Sequence, residues 1–402
     1  MPSYDILITG AGPAGCAAAY DLARAGKRVL LLDKRNFPRH KACACGLTRK
    51  TLAALRYSVN PVIERVCHEI VLQPADAAAP EVRVKTRNPI CAMAVRERFD
   101  AFCLEQTLAS ARNGGSVTLR KIERIAAFRE SPTHIELDIV TAEGLETLTA
   151  PILIGADGSN GQTRRLTQQD TAPGRDGFAL EATVPYTALP ATLPGGDGPH
   201  DLVFDFSPLP GGYGWLFPKA DHINIGVGAF ASSNGAISAP SGAQIKQVTR
   251  ALLLGYTQQK LGVTKLDHIT GQQLGMGGHD YIPRGRVLLV GDAAGLVDPL
   301  TGEGIHSAIV SGQAAASAIL SCAQGESNQA NGNNVAAAYA HHLRPLQETL
   351  AFSHRAARAF YARPERGFKA MRYSFMRSLI LKTYADGLPY TKLLTALAKL
   401  TT

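Results

Sequence analysis

Residues 3–33 constrain this chain more than any other stretch. An apolar strand, Tyr4-Asp5-Ile6-Leu7-Ile8-Thr9, runs into Gly10-Ala11-Gly12-Pro13-Ala14-Gly15. An alanine-rich helix over 14–25 follows, then Gly26 and a second apolar run, Val29-Leu30-Leu31-Leu32, which ends in Asp33. In a strand–turn–helix–strand unit, Gly10 permits the tight turn, Gly12 lets the backbone approach a pyrophosphate, and Gly15 lets the helix press on the strand. The helix N-terminus, which Pro13 opens, supplies unpaired N–H groups from Ala14 on and the positive end of a dipole. Asp33, about 20 residues on, is placed for a ribose 2′-OH and disfavours a 2′-phosphate, and Lys34 follows it. The unit therefore predicts an adenine dinucleotide, and by itself leaves FAD and NAD equally open.

A second site decides between them. Val287-Leu288-Leu289-Val290 is a buried strand type that delivers Gly291-Asp292-Ala293-Ala294-Gly295, and Gly302-Glu303-Gly304-Ile305 opens a long small-residue helix over 304–320. A carboxylate such as Asp292 at a strand tip accepts hydrogen bonds from ribityl hydroxyls, and the glycines let the backbone crowd a cofactor. The next helix start, at Gly302, Gly304 and Ile305, would stabilise negative charge on a reduced flavin. Nicotinamide cofactors need no such site, so FAD is the expected cofactor. Ile152-Leu153-Ile154-Gly155-Ala156-Asp157-Gly158 is a further strand ending in an acid and a glycine, with Asp157 and Gly158 counted in the FAD site.

Taken together these motifs resemble the glutathione-reductase-type flavoproteins, to which aromatic hydroxylases, halogenases and geranylgeranyl reductases belong. Lys41-Ala42-Cys43-Ala44-Cys45-Gly46-Leu47 resembles the KxCGGG loop of the geranylgeranyl reductase family. Tyr213-Gly214-Trp215-Leu216-Phe217-Pro218 resembles its YxWxFP motif. The resemblance implies that the first loop, with Cys45 and Gly46, lies beside the isoalloxazine, that the aromatic motif lines a cavity for an isoprenoid chain, and that Arg96 sits at the diphosphate and adenosine side. Two departures stand out: Ala44 and Cys45 replace family glycines, and the GADGANS-like turn reads Gly155-Ala156-Asp157-Gly158-Ser159-Asn160-Gly161.

Hydride transfer to a C=C bond needs a dry pocket and a proton source. Tyr213, Trp215 and Phe217 share one face of a strand, and Cys43, next to Lys41 and Arg39, is the candidate proton donor, with water as the other. Cys43, Tyr213 and Trp215 are thus the candidate catalytic residues. His40 and His306 read as packing or exposed histidines. There is no HExxH or paired CxxC spacing, so no metal is expected, and Ser159 lacks a nucleophile-elbow setting.

The net charge of +9 belongs to the C-terminus: over 353–402, ten Lys/Arg face only Glu365 and Asp386, which accounts for +8. The basic residues alternate with aromatic and aliphatic ones, a pattern that fits either an anionic-lipid-facing segment or a helical cap with its apolar side on the body. No nucleic-acid module accompanies the charge, so no nucleic-acid partner is expected. Strand one begins at Tyr4, which leaves no room for a signal peptide, and no apolar run reaches 18 residues. Seven scattered cysteines do not form a disulfide scaffold, so a cytoplasmic protein with reduced thiols is expected, at the inner face of the membrane if the tail docks there.

The expected fold is α/β: a Rossmann-like FAD-binding domain (1–58, 92–170, 274–330), an inserted antiparallel β-sheet substrate-binding domain (59–91, 171–273) and a basic C-terminal helical section (331–402). The function expected is an FAD-dependent reductase saturating C=C bonds of a polyprenyl chain on a lipid, quinone or chlorophyll-type headgroup, fed by an external donor such as NADPH or ferredoxin. A monooxygenase or halogenase, and a non-catalytic membrane-peripheral flavin or lipid binder, are the alternatives.

Overall fold

The computed structural model describes residues 4–167, 177–192, 202–230, 247–323 and 332–387. Its centre is a five-stranded parallel sheet made of the runs that read as fully apolar. The strands are β1 (Ile6–Thr9), β2 (Arg28–Asp33), β8 (Ser116–Lys121), β12 (Ile152–Gly155) and β18 (Val287–Leu289), in the order β18-β12-β1-β2-β8. Continuous burial of Ile6–Ile8, Leu30–Leu32 and Ile152–Ile154 is what a parallel sheet covered on both faces requires. Because all the strands run the same way, the tips of β1, β12 and β18 fall side by side and present Gly10, Ala156 and Val290 at one edge.

Helix α1 (Pro13–Arg24) and helix α6 (Ile305–Ala323) pack against each other over this sheet. Small residues make the approach possible: a β-carbon on Gly312 of α6 would stand 2.2 Å from the Ala14 carbonyl oxygen of α1. By length and composition α6 could cross a membrane, but here it is a core helix held between α1 and helix α7 (Gly332–Ala362).

A seven-stranded sheet carries the aromatic motif. Its order is β17-β13-β16-β15-β14-β5-β6, from β5 (Glu69–Gln73), β6 (Val82–Lys85), β13 (Gly177–Pro185), β14 (Leu202–Asp205), β15 (Gly212–Pro218), β16 (His222–Ala229) and β17 (Ile269–Leu274). The sheet is antiparallel except between β14 and β5, which pair in parallel. Helix α5 (Arg250–Leu261) covers one face. A small antiparallel sheet is formed by β3 (Gly46–Thr48), β4 (Ile63–Cys67) and β7 (Cys91–Ala94), in the order β3-β7-β4. The irregular loop after Asp33 therefore ends in a short strand, where only loop was expected. Helix α2 (Arg49–Ala54) follows β3, and helix α3 (Arg96–Leu108) follows β7.

The C-terminal helices α7, α8 (Pro364–Ala370) and α9 (Ser374–Asp386) lay Tyr361, Phe368, Leu381 and Ala385 onto the body. Lys392 and Lys399 of the basic tail lie outside the described residues.

Candidate functional site

The edge where β1, β12 and β18 end opens into one cavity of about 480 Å³, a volume typical of small-molecule sites. Its first half is the glycine turn. Gly10 has a φ of 98° and faces the Ala156 carbonyl so closely that a β-carbon would stand 2.3 Å from it. Gly15 packs under the turn, where a β-carbon would lie 1.9 Å from the Gly10 oxygen. Gly12 is different: a β-carbon there would meet only the Arg39 guanidinium, at 3.4 Å. The first and third glycines thus serve packing, while the second faces open space, the arrangement a pyrophosphate needs. Gly12 is also the N-cap of α1, without a side-chain cap, so the first N–H groups of the helix are free for an anion.

Asp33 accepts the Ala11 N–H through one carboxylate oxygen and the Arg35 N–H through the other, both at 2.8 Å. It stiffens the turn, and each oxygen keeps a lone pair for a hydroxyl. Asp157 caps helix α4 (Thr163–Leu166) by accepting from the Thr163 N–H and hydroxyl at 2.9 Å. Its other oxygen, buried beside the cradle, has no hydrogen-bond partner among the described residues. An orphaned buried acceptor calls for a ligand donor. Gly158 is open, with nothing within 4 Å of a built β-carbon. Asp292, Gly302, Gly304, Ile305, Lys34, Cys45, Gly46 and Arg96 all line the same cavity. Gly15 and Gly291 do not. The Gly291 N–H bonds the Ser311 hydroxyl at 2.9 Å, and its φ of 56° turns the chain against Ala14 and Ala308. An open glycine, free helix N–H groups, an unmet acceptor and a carboxylate at the second strand tip fit a flavin dinucleotide.

The second half of the cavity is aromatic. Tyr213, Trp215 and Phe217 line it from β15, Phe204 from β14, Phe230 just after β16, and Tyr384 from α9. Phe204 meets Tyr213, Phe217 and Tyr384 edge-on, with ring centroids 5.3–6.2 Å apart. The Trp215 indole lies over Gly226 (a β-carbon there would be 2.0 Å from the ring) and donates to the Asn224 side chain at 2.7 Å. Tyr213 donates to the Thr301 carbonyl, and burial pushes its hydroxyl well above the usual tyrosine value. It shapes the wall and keeps its proton near neutral pH.

Between the halves lie Cys43 and Glu181. The Cys43 N–H donates to the Glu181 carboxylate at 2.8 Å. The Cys45 thiol, hydrogen-bonded to the Cys43 sulfur, holds the Cys43 thiol well below its ordinary value, and the Arg96 guanidinium assists. Arg96 is itself buried and bonded to Asp100 at 2.7 Å. Cys43, the candidate proton donor, thus carries a lowered thiol where the two halves of the cavity meet. Glu181 moves the other way. Burial first, and then the charge on Cys43, push its carboxyl up to about 7.

Glu181, Phe204, Phe230 and Tyr384 were not singled out from the sequence. For Glu181 the available signal was an acid at an inward position of an alternating strand; for Tyr384 there was none, because α9 lies far along the chain. His306 is half-buried, and burial together with Lys50 pulls its imidazole down to about 4, so it stays neutral, as expected of a packing histidine.

Residues 3–333 match the FAD binding domain family. Among curated proteins, the chain is 32% identical to an uncharacterised protein of Methanosarcina barkeri over 80% of this chain and 76% of the other. It is 28% identical to a geranylgeranyl diphosphate reductase of Rhodobacter capsulatus (79% and 75%) and 29% identical to a digeranylgeranylglycerophospholipid reductase of Methanosphaera stadtmanae (78% and 77%). Among solved structures, a geranylgeranyl bacteriochlorophyll reductase-like protein of Thermoplasma acidophilum superposes with a TM-score of 0.70 at 20% identity, over 90% of this chain and 92% of that one. A flavin-dependent brominase superposes with a TM-score of 0.69 at 15% identity, over 99% of each chain. The family match spans both the glycine turn and the Gly291-Asp292 strand tip, and the chain belongs to the FAD binding domain family as an FAD-dependent oxidoreductase.

Proposed function

We propose that this protein saturates C=C bonds in a polyprenyl chain carried on a lipid, quinone or chlorophyll-type headgroup. The observation that carries this reading is the continuity of the cavity: the space that begins at the glycine turn ends against the aromatic wall of Trp215, Phe204, Phe217, Phe230 and Tyr384. A dinucleotide accounts for the first half. A wall of rings whose polar atoms are tied to the protein suits a hydrocarbon and excludes water. Relatives named for geranylgeranyl substrates with different headgroups support the prenyl chain as the shared element.

FAD, when bound, supplies the hydride at N5, drawing electrons from an external donor such as NADPH or ferredoxin. The residues of the chain do the rest. Asn224 holds the Trp215 indole in place, and Arg96 fixes the loop that carries Cys43. Glu181, with a carboxyl that titrates at about 7, holds the proton that the second alkene carbon takes up. The basic C-terminal helices would seat the enzyme at the cytoplasmic face of a membrane, where such substrates reside.

Anaerobic turnover of geranylgeranyl lipids with reduced flavin is the test, and mass spectrometry should show a gain of two hydrogens per bond. No gain with any prenyl lipid removes the proposal. A product that forms only with oxygen would instead favour a monooxygenase or halogenase. A halogenase needs a lysine at the apolar end, whereas Lys34 and Lys41, the cavity lysines among the described residues, lie in the loop after the glycine turn. Tightly bound FAD with no turnover would favour a flavin or lipid carrier.

A further inference from the structure

The loop between β2 and β3 carries two cysteines separated by one residue, and its backbone folds one sulfur onto the other. Cys45 takes a φ of 48°, a left-handed conformation that a β-carbon disfavours. In that conformation the Cys45 N–H donates to the Cys43 sulfur at 3.3 Å. Residues two apart have α-carbons at most about 7 Å apart, so the pair is close to disulfide range without a large movement.

The two sulfurs are unequal in a useful way. Cys43 is half-buried, lines the cavity and lies beside Arg96. Cys45 is 1% exposed, and its thiol, donating to Cys43, is held well above the ordinary value. A cavity-lining sulfur beside a guanidinium, bonded by the N–H of a buried cysteine two residues on, is the layout of an attacking and a resolving cysteine. The buried cysteines elsewhere lack it: burial pushes the thiols of Cys16 and Cys91 up, and that of Cys103 to about 12.

We propose that Cys43 and Cys45 form a peroxide-reactive dithiol that closes reversibly into a disulfide in the cavity wall. The Cys43 thiol releases its proton to solvent and its sulfur attacks one peroxide oxygen; an S–O bond forms, the O–O bond breaks, and the departing hydroxide takes up that proton to leave as water. The Cys45 sulfur then attacks Cys43; the S–S bond forms, the S–O bond breaks, and water leaves with the Cys45 proton. Two thiols are oxidised by two electrons and one peroxide is reduced to two waters. The disulfide removes the charge paired with Arg96 and pins the loop, and a dithiol reductant reopens it.

The chemistry can be read without any assumption about substrate. The full-length protein is treated with graded hydrogen peroxide, alkylated with iodoacetamide and digested with trypsin, which cuts after Lys41 and Arg49 and releases residues 42–49 with both cysteines. The doubly alkylated peptide should give way to an unalkylated one lighter by two hydrogens, before Cys16, Cys67, Cys91 or Cys103 change, and dithiothreitol should restore it. C45G, in which glycine accepts the left-handed turn, should instead leave a Cys43 sulfenic acid that dimedone traps. A peptide that keeps both alkyl groups overturns the proposal. So does Cys43 sulfinic acid beside a still-alkylatable Cys45, or C45G giving no dimedone adduct.

Discussion

Glu181 shows how one buried carboxyl ties stability to chemistry. Its carboxyl is raised from 4.5 to about 7 by burial and by the Cys43 charge. The folded protein therefore holds a proton that the unfolded chain releases, and the stability from this group is full below about pH 4.5 and lost as pH rises to about 7. The slope is about 1.4 kcal/mol per pH unit, or roughly 3 kcal/mol across the window. Urea midpoints of the flavin-free protein at pH 5 and pH 8 should show this loss, and Glu181→Gln should flatten it. If Glu181 is also the proton source, turnover should fall as pH rises through about 7, and Glu181→Gln should be slower by about 10²–10⁴-fold. A variant that keeps the wild-type pH profile would leave Glu181 as a fixed partner of the Cys43 N–H only. Cys45 makes a separate argument at the same scale. A non-glycine residue held at a φ of 48° stores about 1 kcal/mol or more, so Cys45→Gly should raise the urea midpoint, measured in reductant.

At the scale of elements, close approach decides the geometry, and glycines decide close approach. Gly312 does not line the cavity, yet it sets how near α6 comes to α1, because a β-carbon there would lie 2.2 Å from the Ala14 oxygen. Gly312→Val should push the two helices apart, destabilise the fold by about 1–3 kcal/mol and weaken flavin retention, read as visible absorbance after gel filtration. Gly226→Ala acts on the other half of the cavity. Its β-carbon would strike the Trp215 indole and break the bond to Asn224, and because the chain has one tryptophan the emission shift reports this site alone.

The parts of this arrangement legible in the sequence were those encoded by neighbours along the chain. These were the glycine turn with its flanking strands, the Gly291-Asp292 tip, and the alternating rings of Tyr213, Trp215 and Phe217. What was not legible arises from pairing between distant segments. Nothing local in Ile70–Leu72 says that β5 pairs in parallel with β14, and that pairing fixes where Phe204 lies. The inward position of Glu181 on its strand gives no hint of its partner, the Cys43 N–H, which comes from a loop more than a hundred residues earlier. The lowered Cys43 thiol depends on Arg96, more than fifty residues away, and on the left-handed turn at Cys45, which a non-glycine residue conceals.

For the whole molecule, α9 joins the interior to the surface. One side sends Tyr384 into the cavity wall and buries Met376 and Leu381. Near and along the other side, Tyr373 is 64% exposed, Phe375 41% and Ile380 36%, beside exposed Arg372 and Lys382. The two readings of the basic tail are thus compatible: its apolar side caps the body, and a smaller apolar and cationic side remains outward. Aromatic rings beside lysine and arginine suit the headgroup layer of an anionic membrane, with each cation near the surface contributing about 1 kcal/mol. A helix that touches both bilayer and cavity would shorten the path of a prenyl chain into the site. Co-sedimentation with vesicles of phosphatidylcholine, with and without phosphatidylglycerol, tests this. Binding should require the anionic lipid and weaken as salt shortens the range of the charges. Tyr373→Ser with Phe375→Ser should reduce it about tenfold while leaving flavin content unchanged. No binding to anionic vesicles would show that α9 serves the fold alone, and equal binding to neutral ones would show that its charges play no part.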